Sequence, residues 1–120
     1  MKSIKTHSFT EDLIFDDQKP AIKAMFESPF SKEIRIAMQK GQKMKAHQTS
    51  FPIVVHVLRG TIDFGYKGVV KELTEGDIIT LEGGISHSLF AHKESVIRLT
   101  LSKSDKAKRV VDVASENSDQ

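Results

Sequence analysis

Two histidines, each a short step beyond a glycine, are the residues of this sequence best suited to chemistry. The first stands in Gly41-Gln-Lys-Met-Lys-Ala-His47-Gln-Thr49-Ser-Phe-Pro-Ile53-Val-Val-His56-Val-Leu-Arg-Gly60. The second stands in Gly76-Asp-Ile-Ile-Thr-Leu-Glu82-Gly-Gly84-Ile-Ser-His87-Ser-Leu-Phe-Ala91. Imidazole binds Fe, Mn, Ni, Cu or Zn, and near neutral pH it also accepts or donates hydrogen bonds. Two protein ligands fall short of the three that catalytic zinc sites use. Thr49 offers a hydroxyl that can hold a metal-bound water but is a poor direct ligand. His92 lies five positions after His87, on the other face of a regular strand, and His56 is out of phase with Ile53 in the same way. Only a bulge would bring either of them in. The favoured arrangement is two histidines sharing hydrogen bonds in a mostly dry pocket. Lys43 and Lys45 flank His47 and can draw an anionic ligand, although such lysines more often form a solvated rim. Glu82 is a loop carboxylate, exposed on the ordinary expectation and an acid–base group if it reaches the pocket. No catalytic residue is assigned.

The elements that must carry these residues read as strands. Ile34, Ile36 and Met38 alternate with Glu33, Arg35 and Ala37, a period of two. Lys40-Gly41-Gln42 turns the chain into a strand over 44–49, which places His47 and Thr49 on one face. After Phe51-Pro52, the run Ile53–Leu58 is almost wholly apolar, as in a strand covered on both faces. Its inward residues are Ile53, Val55 and Val57. Ile62, Phe64 and Tyr66 alternate next, and Lys67-Gly68 forms a hairpin tip leading into Val69–Leu73. Strands follow over 78–81, over 86–91 with His87, Leu89 and Ala91 on one face, and over 96–101. The ligand pocket expected from this layout is lined by His47, Thr49, Ile53, Val55, His87 and Leu89.

The ends are less regular. Leu13–Phe15 reads as an edge strand, and Ala21–Phe26 as an extended stretch suited to embracing a partner subunit. Ser104 is a helix N-cap for a short C-terminal helix over about 104–114. The two N-terminal stretches have no obvious place in a lone barrel, and Ile53–Leu58 is apolar on both faces, so a homodimer is expected.

Composition narrows the function classes. The 120 residues are 28% charged and 38% hydrophobic, as in an ordinary globular domain, and a single domain over 1–120 is expected. The net charge of +2 comes from interspersed acids and bases, which is no footprint for direct nucleic-acid binding. The chain has no cysteine, which excludes disulfides, zinc–thiolate sites and thiol nucleophiles. No Ser-His-Asp ordering, glycine-rich phosphate loop or EF-hand loop is present. No apolar run approaches the roughly 20 residues of a membrane-spanning helix, and nothing resembles a signal peptide, so the cytoplasm is the default location.

The spacing of glycines and histidines resembles the two motifs of the cupin superfamily, specifically small single-domain bacterial cupins of the cupin 2 type. The first motif is Gly, five residues, His-x-His, three or four residues, Glu, six residues, Gly. The second is Gly, five residues, Pro-x-Gly, two residues, His, three residues, Asn. Gly41, His47, Gly60, Gly76, Gly84 and His87 fall in register. Thr49, Ile53, Glu82 and Ala91 stand where the second His, the Glu, the Pro and the Asn would be. The resemblance covers about 31–102 and implies an all-β double-stranded β-helix, or jelly roll. In the family three His and one Glu hold a divalent metal inside the barrel, and only His47 and His87 carry over. It therefore implies a small cupin that binds a small polar or anionic molecule in the barrel, as a binding or sensing module without a full metal site. The alternative is a metal-dependent enzyme of the dioxygenase or isomerase type, using His47 and His87 with one further ligand and Fe, Mn, Ni or Zn at partial occupancy. A sensor half of a regulator is a third reading, although the residues after Lys103 are too few for a helix-turn-helix.

Overall fold

Alternating apolar residues give this chain its strands, and the turns between them fold it back into two facing sheets. The structure, a computed structural model, describes residues 4–103. Its strands are β1 (Ala21–Glu27), β2 (Ser31–Met38), β3 (Lys43–His47), β4 (Ile53–Arg59), β5 (Thr61–Tyr66), β6 (Val69–Thr74), β7 (Ile78–Leu81), β8 (His87–Ala91) and β9 (Ser95–Ser102). One antiparallel sheet has the order β1-β2-β9-β4-β7 and the other the order β3-β8-β5-β6. From β2 onward the chain passes from sheet to sheet at every connection except the β5–β6 hairpin, which is the winding of a double-stranded β-helix. The helix expected over about 104–114 lies outside the described residues.

The inner faces of the two sheets close on one apolar cluster. Ile36, Met38, Ile53, Val55, Val57 and Ile97 face Ile62, Phe64, Leu73, Leu89 and Ala91, and all are buried. Burying one large apolar side chain contributes about 1.5–3 kcal/mol, so this interdigitated layer is what holds the sheets together.

One expectation about covered faces is reversed. The Ile53–Leu58 run was expected to be covered on both sides, but only Ile53, Val55 and Val57 are buried; Val54, His56 and Leu58 on the outer face are half-buried. On β2, Glu33, Arg35 and Ala37 are as buried as Ile36 and Met38. The cover is the N-terminal segment. Arg35 donates from Nη1 to the carbonyl of Glu11 at 3.1 Å and from Nη2 to that of Asp12 at 3.4 Å. Gln42 Nε2 donates to the carbonyl of Asp16 at 2.6 Å. Arg98 sits over the ring of Phe9 at 5.5 Å.

This packing also corrects the edge strand expected at Leu13–Phe15. No strand forms over 11–20. The carbonyls of Glu11 and Asp12 are taken by Arg35 rather than by a ladder, Asp12 turns through φ +52, and Pro20 has no N–H to give. The Ala21–Phe26 stretch is extended as expected, but it pairs with β2 of its own chain.

Beneath that cover Glu33 is 3% exposed and accepts hydrogen bonds from Ser31 Oγ at 2.6 Å, Arg98 Nε at 2.9 Å and Thr100 Oγ1 at 2.6 Å. Burial works against its ionisation, but the three donors and the Arg98 charge outweigh it and hold the carboxyl below its ordinary value. The buried carboxylate thereby ties β2 to β9.

Candidate functional site

His87 opens β8 on the inner face, in register with Tyr66 of β5 on one side and His47 of β3 on the other. Its position follows from the alternation His87, Leu89, Ala91, all buried. His47 arrives by a different route. Met44 is in register with Leu89 and packs on the core, so a regular β3 would put Ala46, not His47, opposite His87. The register shifts between Met44 and His47, and this β-bulge adds one residue on β3 that brings His47 across from His87. The two ring centroids are 4.5 Å apart, inclined at 55°.

The rings differ in environment. His87 is 3% exposed and lies parallel to the Phe64 ring, 5.7 Å between centroids at 8°. His47 is exposed at the end of β3. The expected shared hydrogen bond between them gives way to backbone contacts. His87 Nδ1 meets the carbonyl of Ile85 at 3.1 Å, and His47 Nδ1 meets that of Lys45 at 2.9 Å. A carbonyl only accepts, so each neutral ring carries its proton on Nδ1 and turns a lone pair outward on Nε2. Among the described residues no buried side-chain nitrogen or oxygen lacks a partner, and His87 Nε2 makes no hydrogen bond, so that atom must reach solvent. Loss of hydration holds the His87 pKa below its ordinary 6.5; the Ile85 carbonyl opposes this, and the neighbouring His47 adds to it. At neutral pH His87 is an uncharged acceptor.

The remaining residues of the expected pocket do not all join this pair. Thr49 lies beyond the end of β3, and its Oγ1 donates to the carbonyl of Phe51 at 2.9 Å, which turns it toward a small cleft with Pro52, Leu101 and Ser102. Ile53, Val55 and Leu89 are part of the sealed core cluster beneath the pair. Glu82 is exposed, as are Lys43 and Lys45 beside His47. A metal of the kind that the family motif implies would find two imidazoles, a hydroxyl committed to Phe51 and the apolar Ile53 at the motif positions. That donor set falls short of the three protein ligands such sites use. These residues therefore do not fit a resident metal.

The comparisons with known proteins bear on the fold. No protein-family model and no curated protein matches the sequence. Solved structures do match. An RmlC-like cupin from Desulfovibrio desulfuricans superposes with a TM-score of 0.78 at 22% identity, covering 83% of this chain and 97% of that one. The chain has the cupin fold. A conserved Klebsiella pneumoniae protein with a double-stranded β-helix domain gives 0.75 at 17% identity, over 83% of this chain and 90% of its own. An RmlC-like cupin from Shewanella frigidimarina gives 0.69 at 21% identity, over 85% and 94%. Such identities speak for architecture alone, and within the cupin barrel the chemistry rests on this chain's own residues.

A second set of side chains was not foreseen as a group. Asp63, Glu72 and His92 converge on the outer face of the β3-β8-β5-β6 sheet. The expectation that His92 points away from His87 agrees with this placement. The signal for the group, alternation placing Asp63 and Glu72 outward on a tight hairpin, was present in the sequence. The cross-strand register was not.

Proposed function

We propose that the chain is a small-molecule-binding cupin, a binding or sensing module whose ligand contacts the Nε2 atoms of His47 and His87. The observation that carries this reading is the pair of rings 4.5 Å apart, each with Nδ1 committed to a backbone carbonyl. Two Nε2 lone pairs side by side suit a polar molecule offering hydroxyl or amide donors. Exposed Lys45, whose carbonyl meets His47 Nδ1, suits a carboxylate or phosphate on the same molecule, whereas Lys43 pairs with Phe90 on the outer face of the sheet. Among the described residues, the alternative of a metal-dependent enzyme has no third metal-ligating side chain grouped with the pair to support it.

The test is a panel of small polyols, sugar acids and carboxylates, read by thermal shift and by NMR of the histidine rings. A binder is expected to move both ring signals and to lose at least tenfold in affinity in His47→Ala. Because burial holds the His87 pKa below its ordinary value, the contact to His87 Nε2 should be lost only at a pH lower than an ordinary imidazole would set, as His87 itself takes up a proton. Equal binding by wild type and His47→Ala would refute the site.

The reading includes a homodimer. The half-buried outer face of β4, with Val54 and Leu58, adjoins Ile78 of β7, which is 61% exposed. Large exposed apolar residues grouped on one sheet face mark contact surfaces. Light scattering is expected to return twice the chain mass at micromolar concentration, and a monomer mass would remove this part of the reading.

A further inference from the structure

We infer that Asp63, Glu72 and His92 form a binding site for a borderline first-row divalent cation, with zinc as the reference ion, on the outer face of the sheet opposite the histidine pair. One ligand atom from each residue lies within 4.8 Å of the other two. Zinc holds nitrogen and carboxylate oxygen at about 2.0–2.2 Å in a tetrahedral arrangement, so its ligands stand about 3.3–3.6 Å apart. The remaining closure falls to Glu72, which has the longer carboxylate side chain and is exposed.

The backbone holds these groups together. Asp63 of β5 and Glu72 of β6 are register partners in the hairpin. Two carboxylates facing each other across neighbouring strands repel, an arrangement that ordinarily destabilises a sheet. His92 closes the third side. Its backbone N–H donates to the carbonyl of Thr61 at 2.9 Å, its Nε2 lies 2.9 Å from Asp63 Oδ1, and the Phe90 ring meets it edge-on at 5.2 Å and 79°. The imidazole is thus oriented toward the acidic pair. A divalent ion offsets both carboxylates.

The ligand types choose the ion. One imidazole with two carboxylates favours Zn, Ni, Co or Mn over Mg and Ca, which take oxygen alone. The side chains of His92 and Asp63 are 40% and 32% exposed, so solvent can fill the remaining coordination positions and the ion can exchange. Binding must free Nε2 of its contact with Asp63 and leave any ring proton on Nδ1. Exposed Lys43 is the register partner of Phe90, itself the partner of Asp63, so a lysine lies on the same outer face beyond the Phe90 ring.

The test uses the full chain, stripped with chelator and titrated with Zn2+ in a calorimeter and against a chromogenic chelator. Wild type is expected to bind one Zn2+ per chain, to melt higher with zinc, and to respond far less to Mg2+. Asp63→Asn, Glu72→Gln and His92→Gln should each weaken binding at least tenfold while their metal-free melts stay close to that of wild type, since all three sites are solvent-accessible. His47→Ala should bind zinc as wild type does, and the NMR signal of His92 should shift on binding while that of His87 stays. Zinc binding that survives in all three outer-face variants, or that is lost in His47→Ala, would overturn the assignment. So would no binding by wild type at 100 μM Zn2+, a concentration of about the weakest affinity worth calling a site.

Discussion

Phe64→Ala is expected to cost about 3–5 kcal/mol of folding stability, the range for removing a large buried aromatic ring. Phe64 is fully buried at the centre of the core cluster and in register with Leu89. Its ring supports His87 at 5.7 Å and meets Tyr66 at 6.0 Å. The cavity would open directly behind the histidine pair, so the variant should lose ligand binding as well as stability. A domain of this size is stable by only about 5–15 kcal/mol, so much of the margin would go. Urea denaturation with the NMR signal of the His87 ring followed in parallel reads both effects. Phe64→Leu, which refills most of the volume, should cost less and keep the ring in place. A loss below about 1 kcal/mol for the alanine variant would mean that the core can close over the gap, contrary to its packing.

Gly60→Ala should be comparably damaging, for a different reason. Gly60 joins β4 to β5 with φ +95, a conformation that costs a residue with a Cβ about 1–3 kcal/mol. It also lies against the start of β9. A Cβ there would stand 2.2 Å from Ser95 Oγ, 2.5 Å from the carbonyl oxygen of Glu94 and 2.7 Å from Ser95 Cα. Two of those atoms are backbone, and Ser95 is fully buried with its hydroxyl donating to the carbonyl of Lys93 at 2.7 Å and accepting from the N–H of Thr61 at 3.2 Å. The turn therefore has to move, at a further overpacking cost of about 1–3 kcal/mol. Gly68→Ala is the control, because φ is +74 there but nothing lies within 4 Å of the added carbon. Denaturant midpoints should place Gly60→Ala well below Gly68→Ala. Equal midpoints would show that backbone conformation alone sets the cost, and that the close approach to Ser95 is easily relieved.

Chain pattern and tertiary structure divided the outcome along physical lines. Period-two alternation found β2, β5 and β9 within a residue or two, because a strand between a core and solvent must present its apolar residues on one side, and β4 was found from its apolar run. The same alternation placed His87, Leu89 and Ala91 inward. The glycines marked turns, where backbone shapes that few other residues take are needed, and the winding order came from the resemblance to the cupin motifs. Composition excluded thiol chemistry outright.

Other features depended on contacts between distant residues. The burial of Glu33 and Arg35 could not be read from β2, because the cover comes from residues about twenty positions earlier through Arg35 and the Glu11 and Asp12 carbonyls. The meeting of Asp63, Glu72 and His92 needed the β5–β6 register and the path of the chain after β8. Most telling is His47. Its spacing from Gly41 was visible at once, yet strand alternation from Met44 would turn it away from the core, and Thr49, expected beside it, lies past the strand end with its hydroxyl on Phe51. A bulge adds one residue between two ladder pairs, and no local pattern announces it, because the neighbouring strand fixes where the ladder resumes. The sequence by itself determined an all-β barrel with two glycine-framed histidines; only the packing of β3 against β8 decided that the two rings would face each other.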